Sequence, residues 1–356
     1  KKSLKLNGNI FDGNGYPIEN LTKPLFSVAN GTVKNLVLPD VEIDGNGNQG
    51  AIAQTVGDKA TIEKCYVSGS ITATGNDNIG AGGLIGAVQT TNGAPLTIEN
   101  CVVNADITGK KDSLAGGLIG SVSGSNVVTI KKCIAMGTVS NGNGKGAGGL
   151  VGGPNKTVTI NKSVALQETI ATNSLGYYVN RIFGYTGDYV QGEGNYAYKD
   201  MTLTFASGSK KIEKPYPLYY GEDVSKTALL TSNFWKKTLG WGESNWDIRE
   251  GHFPELKCGE TTIFSEDDLP DYLQATNSLK GSVKSGGTGI EGVEITFKKG
   301  SSEKKATTEP DGTFSIDLAD GTYTVTIKKT GYFTVEKKVT ISDADLEALN
   351  FTMETN

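Results

Sequence analysis

Four cysteines, one histidine and a scatter of carboxylates are the side chains through which this 356-residue chain would do chemistry. Three of the cysteines recur in one setting. Cys65 lies in Thr61-Ile62-Glu63-Lys64-Cys65-Tyr66-Val67, Cys101 in Thr97-Ile98-Glu99-Asn100-Cys101-Val102-Val103, and Cys133 in Thr129-Ile130-Lys131-Lys132-Cys133-Ile134-Ala135. Equivalent positions in a repeat stack on one another. Three equivalent cysteines cannot all pair, and in-line neighbours on parallel strands rarely offer disulfide geometry. Metal binding would call for CxxC spacing or a partnering histidine, and the ladder has neither. The expectation is a column of buried thiols acting as small hydrophobes, with no metal and no cofactor. Four cysteines in a chain of this length do not reveal a redox compartment.

The remaining chemistry is thin. His252 is followed by Phe253-Pro254, so it cannot begin an HExxH zinc motif, and a structural role is expected for it. A polysaccharide lyase or glycosidase would need clustered carboxylates on one face. The clear repeats offer Asp58, Glu63, Asp77, Glu99, Asp106, Asp112 and Glu168. Glu63 and Glu99 are equivalent, but Lys131 and Asn161 continue their column, the pattern of a solvated ladder. Catalytic and metal-ligating residues are therefore expected to be absent, and the protein is expected to be non-enzymatic. A carbohydrate-active β-helix enzyme stays open as the alternative. Trp235, Trp241 and Trp246 are all three tryptophans. They form either a sugar-stacking platform or packing beneath a cap.

The elements that position these residues are set by a repeat. GGLIG occupies 82–86 and 116–120, and GGLVG occupies 148–152. A step of 32–34 residues marks a repeat architecture. The Thr-Ile-Glu-Asn-Cys block follows each, and a third block follows that: Gly69-Ser70-Ile71-Thr72, Ala105-Asp106-Ile107-Thr108, Gly137-Thr138-Val139-Ser140. Weaker copies extend the array to roughly 25–198, among them Leu25-Phe26-Ser27, Gly50-Ala51-Ile52-Ala53, Ser163-Val164-Ala165, Arg181-Ile182-Phe183-Gly184 and Asn195-Tyr196-Ala197. Arg181 breaks the small-residue rule of Gly83, Gly117 and Gly149, which reads as the end of the stack. Three short β-like runs per period, rich in Gly, Asn and Thr, do not suit leucine-rich, helical or propeller repeats. They suit a parallel β-helix of about six coils, right-handed by the usual crossover rule. The abundant glycines are expected at coil corners, where positive φ is needed.

Strand alternation sharpens one candidate surface. If Cys65 and Val67 face inward, Tyr66, Val102, Ile134, Val164 and Tyr196 form an outward apolar column, a candidate binding stripe. A second column reads Ile52, Ile85, Ile119, Val151 and Phe183, beside Ala51, Leu84, Leu118, Leu150 and Ile182. Only one of each adjacent pair is expected to face the core. The stripe is either exposed for an interaction or covered, by the loops after Gly75, Thr91 and Lys110 or by the region that follows the repeats.

That region, 199–262, loses the repeat and gains the tryptophans, Tyr216, Tyr219, Tyr220 and Phe234. Ser225 and Ser232 read as N-caps of short helices. A cap over the C-terminal end of the stack is expected. A polar, acidic linker, 263–276, leads to 277–356. There short alternating strands and the turns Asp311-Gly312 and Asp320-Gly321 predict a small antiparallel β-sandwich. The fold class is thus all-β: a β-helix over 1–198, its aromatic-rich cap, and a transthyretin-like or immunoglobulin-like sandwich.

Composition narrows the partners. The net charge of −5 carries no basic footprint for nucleic acid. No apolar run reaches the length of a membrane span. The chain opens on Lys1-Lys2-Ser3 without a signal peptide, so an exported protein would appear here in its mature form.

The GGLIG and Thr-Ile-Glu-Asn-Cys blocks resemble the GLUG-motif repeats of bacterial surface proteins, which also occur beside immunoglobulin-A-cleaving metallopeptidases and in large adhesins. The run Phe234-Trp235, Leu239-Gly240-Trp241, Trp246-Asp247-Ile248 and Gly251-His252-Phe253-Pro254-Glu255-Leu256 is similar to the close of such arrays. The final region resembles the carboxypeptidase-regulatory-like domain at Gly281, Gly292-Val293, Asp311-Gly312-Thr313-Phe314, Gly321-Thr322-Tyr323-Thr324-Val325 and Gly331-Tyr332. The resemblance implies an extracellular or cell-surface bacterial protein with an adhesive or scaffolding role. It implies a host or environmental glycan or protein as partner and supplies no catalytic residues. A purely structural repeat module is the remaining alternative.

Overall fold

The computed structural model describes all residues except 1–2, 76–78, 91, 111, 125–126, 143–145, 155, 174–178, 185–189, 207, 211–216, 275–276, 300–301, 320 and 342–348. The chain divides into two compact units, Lys1–Pro270 and Asp271–Asn356.

The first unit is a parallel β-helix, and its faces follow the three blocks of the repeat. One face stacks Val37–Asn46, Tyr66–Thr74 and Val102–Gly109, then the shorter pieces Ile134–Met136 and Thr138–Asn141, and so on to Glu222–Val224. A five-stranded face stacks Gln49–Gly50, Gly80–Gly82, Leu114–Gly116, Gly146–Gly148 and Val179–Asn180. The third sheet fans from Phe26–Lys34. One branch runs through Ala53–Val56, Ile85–Thr90, Ile119–Gly124 and Val151–Pro154; the other runs through Ala60–Glu63, Pro95–Glu99, Val127–Lys131, Val158–Asn161 and Val190–Glu193. Equivalent residues pair in register: Ile62 with Ile98, Ile98 with Ile130, and Ile130 with Ile160. The stacked aliphatic side chains form one continuous core.

Two sequence expectations change at the GGLIG corner. Leu84 and Ile85 are both fully buried, as are Leu118 with Ile119 and Leu150 with Val151. The chain bends between the two residues of each pair, so the strand rule that sends neighbours to opposite faces does not apply. The expected alignment is also off by one residue in the degenerate copy at 50–53. Ala53, not Ile52, pairs with Ile85, and the amide of Ile52 bonds the Leu84 carbonyl at 3.0 Å.

The glycines of the motif are required for space rather than for positive φ. A Cβ on Gly83 would lie 2.3 Å from the carbonyl oxygen of Gly117 and 2.5 Å from a methyl group of Val103. Positive φ falls instead on the residue before each cysteine-column position: Asn35 (53°), Lys64 (51°), Asn100 (52°), Lys132 (54°), Lys162 (52°) and Gly194 (63°). Every coil turns its corner there through the left-handed region, which L-residues other than Asn and Gly visit at a cost. Lys132→Gly should remove about 1–2 kcal/mol of that cost and lose about 0.5–1 kcal/mol to glycine's greater chain entropy. The expected outcome is a small gain in the denaturation midpoint at unchanged m-value. A lowered midpoint would show that the lysine side chain contributes more than its backbone costs.

The second unit packs two sheets. One contains Thr288–Gly289, Asn277–Ser285 and Thr313–Leu318, with Leu349–Thr352 parallel to Asn277–Ser285. The other runs Ser302–Thr307, Glu294–Lys299, Gly321–Lys328, Val335–Ile341. Phe297, Phe314, Tyr323 and Phe351 meet between the sheets. Asp311 makes the expected turn. Its carboxylate accepts from the Thr313 amide and hydroxyl, which holds its pKa below the usual carboxylate range.

Candidate functional site

The apolar column expected to face outward is sealed. Tyr66, Val102, Ile134 and Val164 are buried, and Tyr196 is half-buried. The cover comes from the residues after the repeats. Thr202–Phe205 and Glu222–Val224 extend the last coils at the C-terminal end of the stack, and from Phe234 onward the chain runs back along the side as a strap. Phe234 meets Tyr196 edge-on with ring centroids 5.0 Å apart. The Trp241 indole donates to the Lys162 carbonyl at 3.0 Å. The Trp246 indole donates to Asn100 Oδ1 at 3.0 Å. Phe264 lies 5.4 Å from the Tyr66 ring, and Asn104 Nδ2 donates to the Asp268 carbonyl at 2.6 Å. Strap positions 234, 241, 246 and 264 thus meet coil positions 196, 162, 100 and 66, in reverse order of the coils. The stripe therefore offers no open binding face. An apolar ladder of this length would be costly to leave in water, and the strap removes it from water. The turns at 76–78, 91 and 111, the other expected cover, lie outside the described residues.

The tryptophans are corrected with the stripe. Trp235 and Trp246 have no exposed surface and Trp241 has 3 %, so they present no platform to a sugar. Their ring faces are spent on each other and on neighbours: Trp235 to Trp241 at 4.8 Å, Trp241 to Trp246 at 4.4 Å, Trp235 to Phe253 at 5.3 Å. Trp235 Nε1 donates to the Leu229 carbonyl at 2.7 Å. Each indole N–H thus has a partner, as burial requires. Ser225 caps its helical turn through the Ala228 amide, whereas Ser232 is held by Glu250 and caps nothing.

The cysteine column is the buried ladder the repeat suggests. Cys65, Cys101 and Cys133 are free and buried, and Cys258 is partly exposed. Each ladder thiol donates to the carbonyl two residues earlier, at 3.3, 3.4 and 3.2 Å, across the left-handed corner. Ser163 does the same with its hydroxyl at 3.1 Å, and Asn195 ends the column by accepting from the Ser163 amide and donating to the Ile160 carbonyl. Burial pushes the Cys101 and Cys133 thiols well above their ordinary pKa, which removes the reactive thiolate. A thiol-specific chromophoric reagent should find one fast-reacting group, Cys258, in the native chain and all four cysteines in denaturant. Rapid native labelling of a second thiol would contradict the ladder's burial.

Arg181 closes the stack. Its side chain is 1 % exposed. Nε donates to the Tyr220 carbonyl at 2.8 Å, Nη2 to Gly221 at 2.9 Å, and Nη1 to Asp223 Oδ1 at 2.6 Å. Burial lowers its pKa, and the Asp223 carboxylate opposes that shift. The planar fork satisfies the backbone of the last coil where no further coil follows. The sequence marked the anomaly at this position but gave no sign of its partners, which lie between 17 and 42 residues downstream.

The polar candidates stay at the surface. Glu63 pairs in register with Glu99 and Glu99 with Lys131; Lys131 Nζ lies 2.7 Å from Glu99 Oε2 with both groups partly exposed. His252 Nδ1 lies 3.0 Å from Glu266 Oε2, and Glu266 also accepts from the Phe253 amide, so the histidine helps to pin the strap. Among the described residues, no group of three or more His, Cys, Asp and Glu side chains is placed to hold a metal ion, and no helix is long and apolar enough to cross a membrane. One hollow of about 280 Å³ opens at the strap's far end, where Thr262, Ile263, Phe264 and Asp268 face Gly15, Pro17, Val37, Pro39 and Tyr66.

Residues 278–354 match the carboxypeptidase regulatory-like domain, so the second unit carries that domain. Residues 4–69 match the N-terminal region of the M26 IgA1-specific metallo-endopeptidases. The immunoglobulin A1 protease of Streptococcus sanguinis is 30 % identical over 131 residues, which are 36 % of this chain and 7 % of that protein. The chain thus spans a small fraction of its curated relative. A crystal structure of a candidate immunoglobulin A1 protease from Bacteroides ovatus superposes with a TM-score of 0.59 at 21 % identity, over 73 % of this chain and 82 % of that one. It shares the fold.

These matches correct the expectation of a non-enzymatic protein, because they point to a peptidase relation. Parts of the chain are similar to a metallo-endopeptidase family, and the matched stretch is a small fraction of the curated relative. The missing HExxH bore only on these 356 residues, and the relative is far longer than the stretch it shares.

Proposed function

We propose that the β-helix unit is the protein-engaging scaffold of an exported bacterial protein related to the immunoglobulin A1 proteases. On this reading it holds an extracellular host protein at the cell surface or in the surrounding medium. The observation that carries the reading is the match of residues 4–69, the first coils, to the N-terminal region of that peptidase family. The structure fits it. The repeat residues are consumed by the core, and the aromatic stripe is sealed by the strap. Recognition therefore belongs to residues that do not repeat.

The name of the streptococcal relative makes immunoglobulin A1 the first partner to test. The full chain is passed over immobilised immunoglobulin A1, with immunoglobulin G and albumin as controls. Saturable binding to immunoglobulin A1 alone is expected. Equal signals on all three surfaces would sink the reading. Electrophoresis of the same mixture reads hydrolysis, and cleaved heavy chain would make this stretch catalytic in its own right.

A further inference from the structure

The hollow at the far end of the strap has a composition that none of the repeat surfaces shares. Its walls are apolar: Pro17, Val37 and Pro39 on the side of the first coils, Ile263 on the strap. Its polar end is acidic. Asp268 lines it, and the pKa of the Tyr66 hydroxyl is raised first by burial and then by the charges of Asp268 and Asp40. The Asp268 carboxylate is already partly engaged, since Oδ2 accepts from the Ser265 amide and hydroxyl and the carboxylate also accepts from the Tyr66 hydroxyl. No basic residue lines the hollow. The nearby Lys34 is paired with Asp12. Tyr16, between lining residues Gly15 and Pro17, is 71 % exposed at the rim. The strand Thr261–Phe264 ends its three-stranded sheet beside the hollow. Edge strands of this kind take up extended peptides, with side-chain pockets supplying the specificity.

A long apolar stem with a cation at its tip matches an apolar slot ending on a carboxylate. We propose that this hollow receives a lysine or arginine side chain of an extended peptide, its stem against Pro17, Val37, Pro39 and Ile263 and its cation at Asp268. The inference rests on the reading of the unit as a protein-engaging scaffold and names where and by what chemistry one contact is made.

The test titrates the full chain into the fluorescein-labelled peptide acetyl-Ala-Val-Arg-Val-Ala-amide and into the same peptide with Glu at its centre. Saturable binding of the arginine peptide is expected, with the glutamate peptide at least tenfold weaker. Thr262→Arg alters an exposed lining residue. It should weaken arginine-peptide binding at least tenfold while the melting temperature stays unchanged. Equal affinity for both peptides, no binding of either, or indifference to Thr262→Arg at unchanged melting would overturn the site. If Thr262→Arg shifts the melting temperature, Tyr16→Phe and Tyr16→Ala at the rim replace it, and a loss confined to the alanine variant is expected. Capture of immunoglobulin A1 without peptide binding would remove this site and leave the scaffold reading standing. Peptide binding without capture would do the reverse.

Discussion

Trp246→Ala is expected to destabilise the β-helix unit by about 3–5 kcal/mol, the range for removing a large aromatic side chain from a core. Trp246 is fully buried at the middle of the strap, 4.4 Å from the Trp241 ring. Its loss opens a cavity against the stripe and leaves Asn100 Oδ1 without the indole donor, inside the coil stack. Asn100 is also a left-handed corner residue, so the disturbance falls where the coil already carries backbone cost. Urea denaturation followed by tryptophan fluorescence and by far-ultraviolet circular dichroism would read it. Trp246→Phe keeps most of the ring volume and should recover more than half of the loss. A loss under 1 kcal/mol for the alanine variant would mean that the strap contributes little to the stack.

Arg181→Ala is expected to cost about 2–5 kcal/mol, because it leaves carbonyl acceptors at the end of the stack unsatisfied at about 1–3 kcal/mol each. Asp223 is half exposed and returns to water. The cost comes from the carbonyls of Tyr220 and Gly221, which lose their donors at the end of the stack. Arg181→Lys should recover less than half, because one ammonium cannot reproduce a fork aimed at four oxygens, those of Tyr198, Tyr220, Gly221 and Asp223. The readout is the denaturation midpoint together with limited proteolysis, and cleavage is expected to begin within 217–224. A lysine variant as stable as the native chain would show that charge alone, not the fork, closes the helix.

How much of this was legible depended on repetition. The Ile62, Ile98, Ile130, Ile160 register and the cysteine column could be read because each residue type recurs at one period and a parallel stack pairs equals with equals. The one-residue slip at Ala53 arose in a degenerate copy, where Ile52 imitates Ile85 in type but not in place. The pairing of Leu84 with Ile85 inside the core escaped a rule made for straight strands, because the chain bends between them. The left-handed corner was half-written: Asn35, Asn100 and Gly194 are the types that favour it, but Lys64, Lys132 and Lys162 conceal it. The strap left no periodic trace. Its direction is set by contacts between residues distant in the chain, such as Trp241 with Lys162 and Trp246 with Asn100, and no local propensity encodes which coil an aromatic residue will meet. The hollow between Pro17 and Ile263 is invisible for the same reason.

The sealed stripe is why the proposed recognition is assigned to the non-repeating residues, and amide hydrogen exchange tests the seal most directly. On the full chain, the strap residues 234–264 and the strands Val102–Gly109 and Ile134–Met136 should exchange slowly and with similar protection, as one cooperative unit. A strap that exchanges orders of magnitude faster than the strands beneath it would contradict this. It would return Tyr66, Val102, Ile134, Val164 and Tyr196 to solvent as an open face.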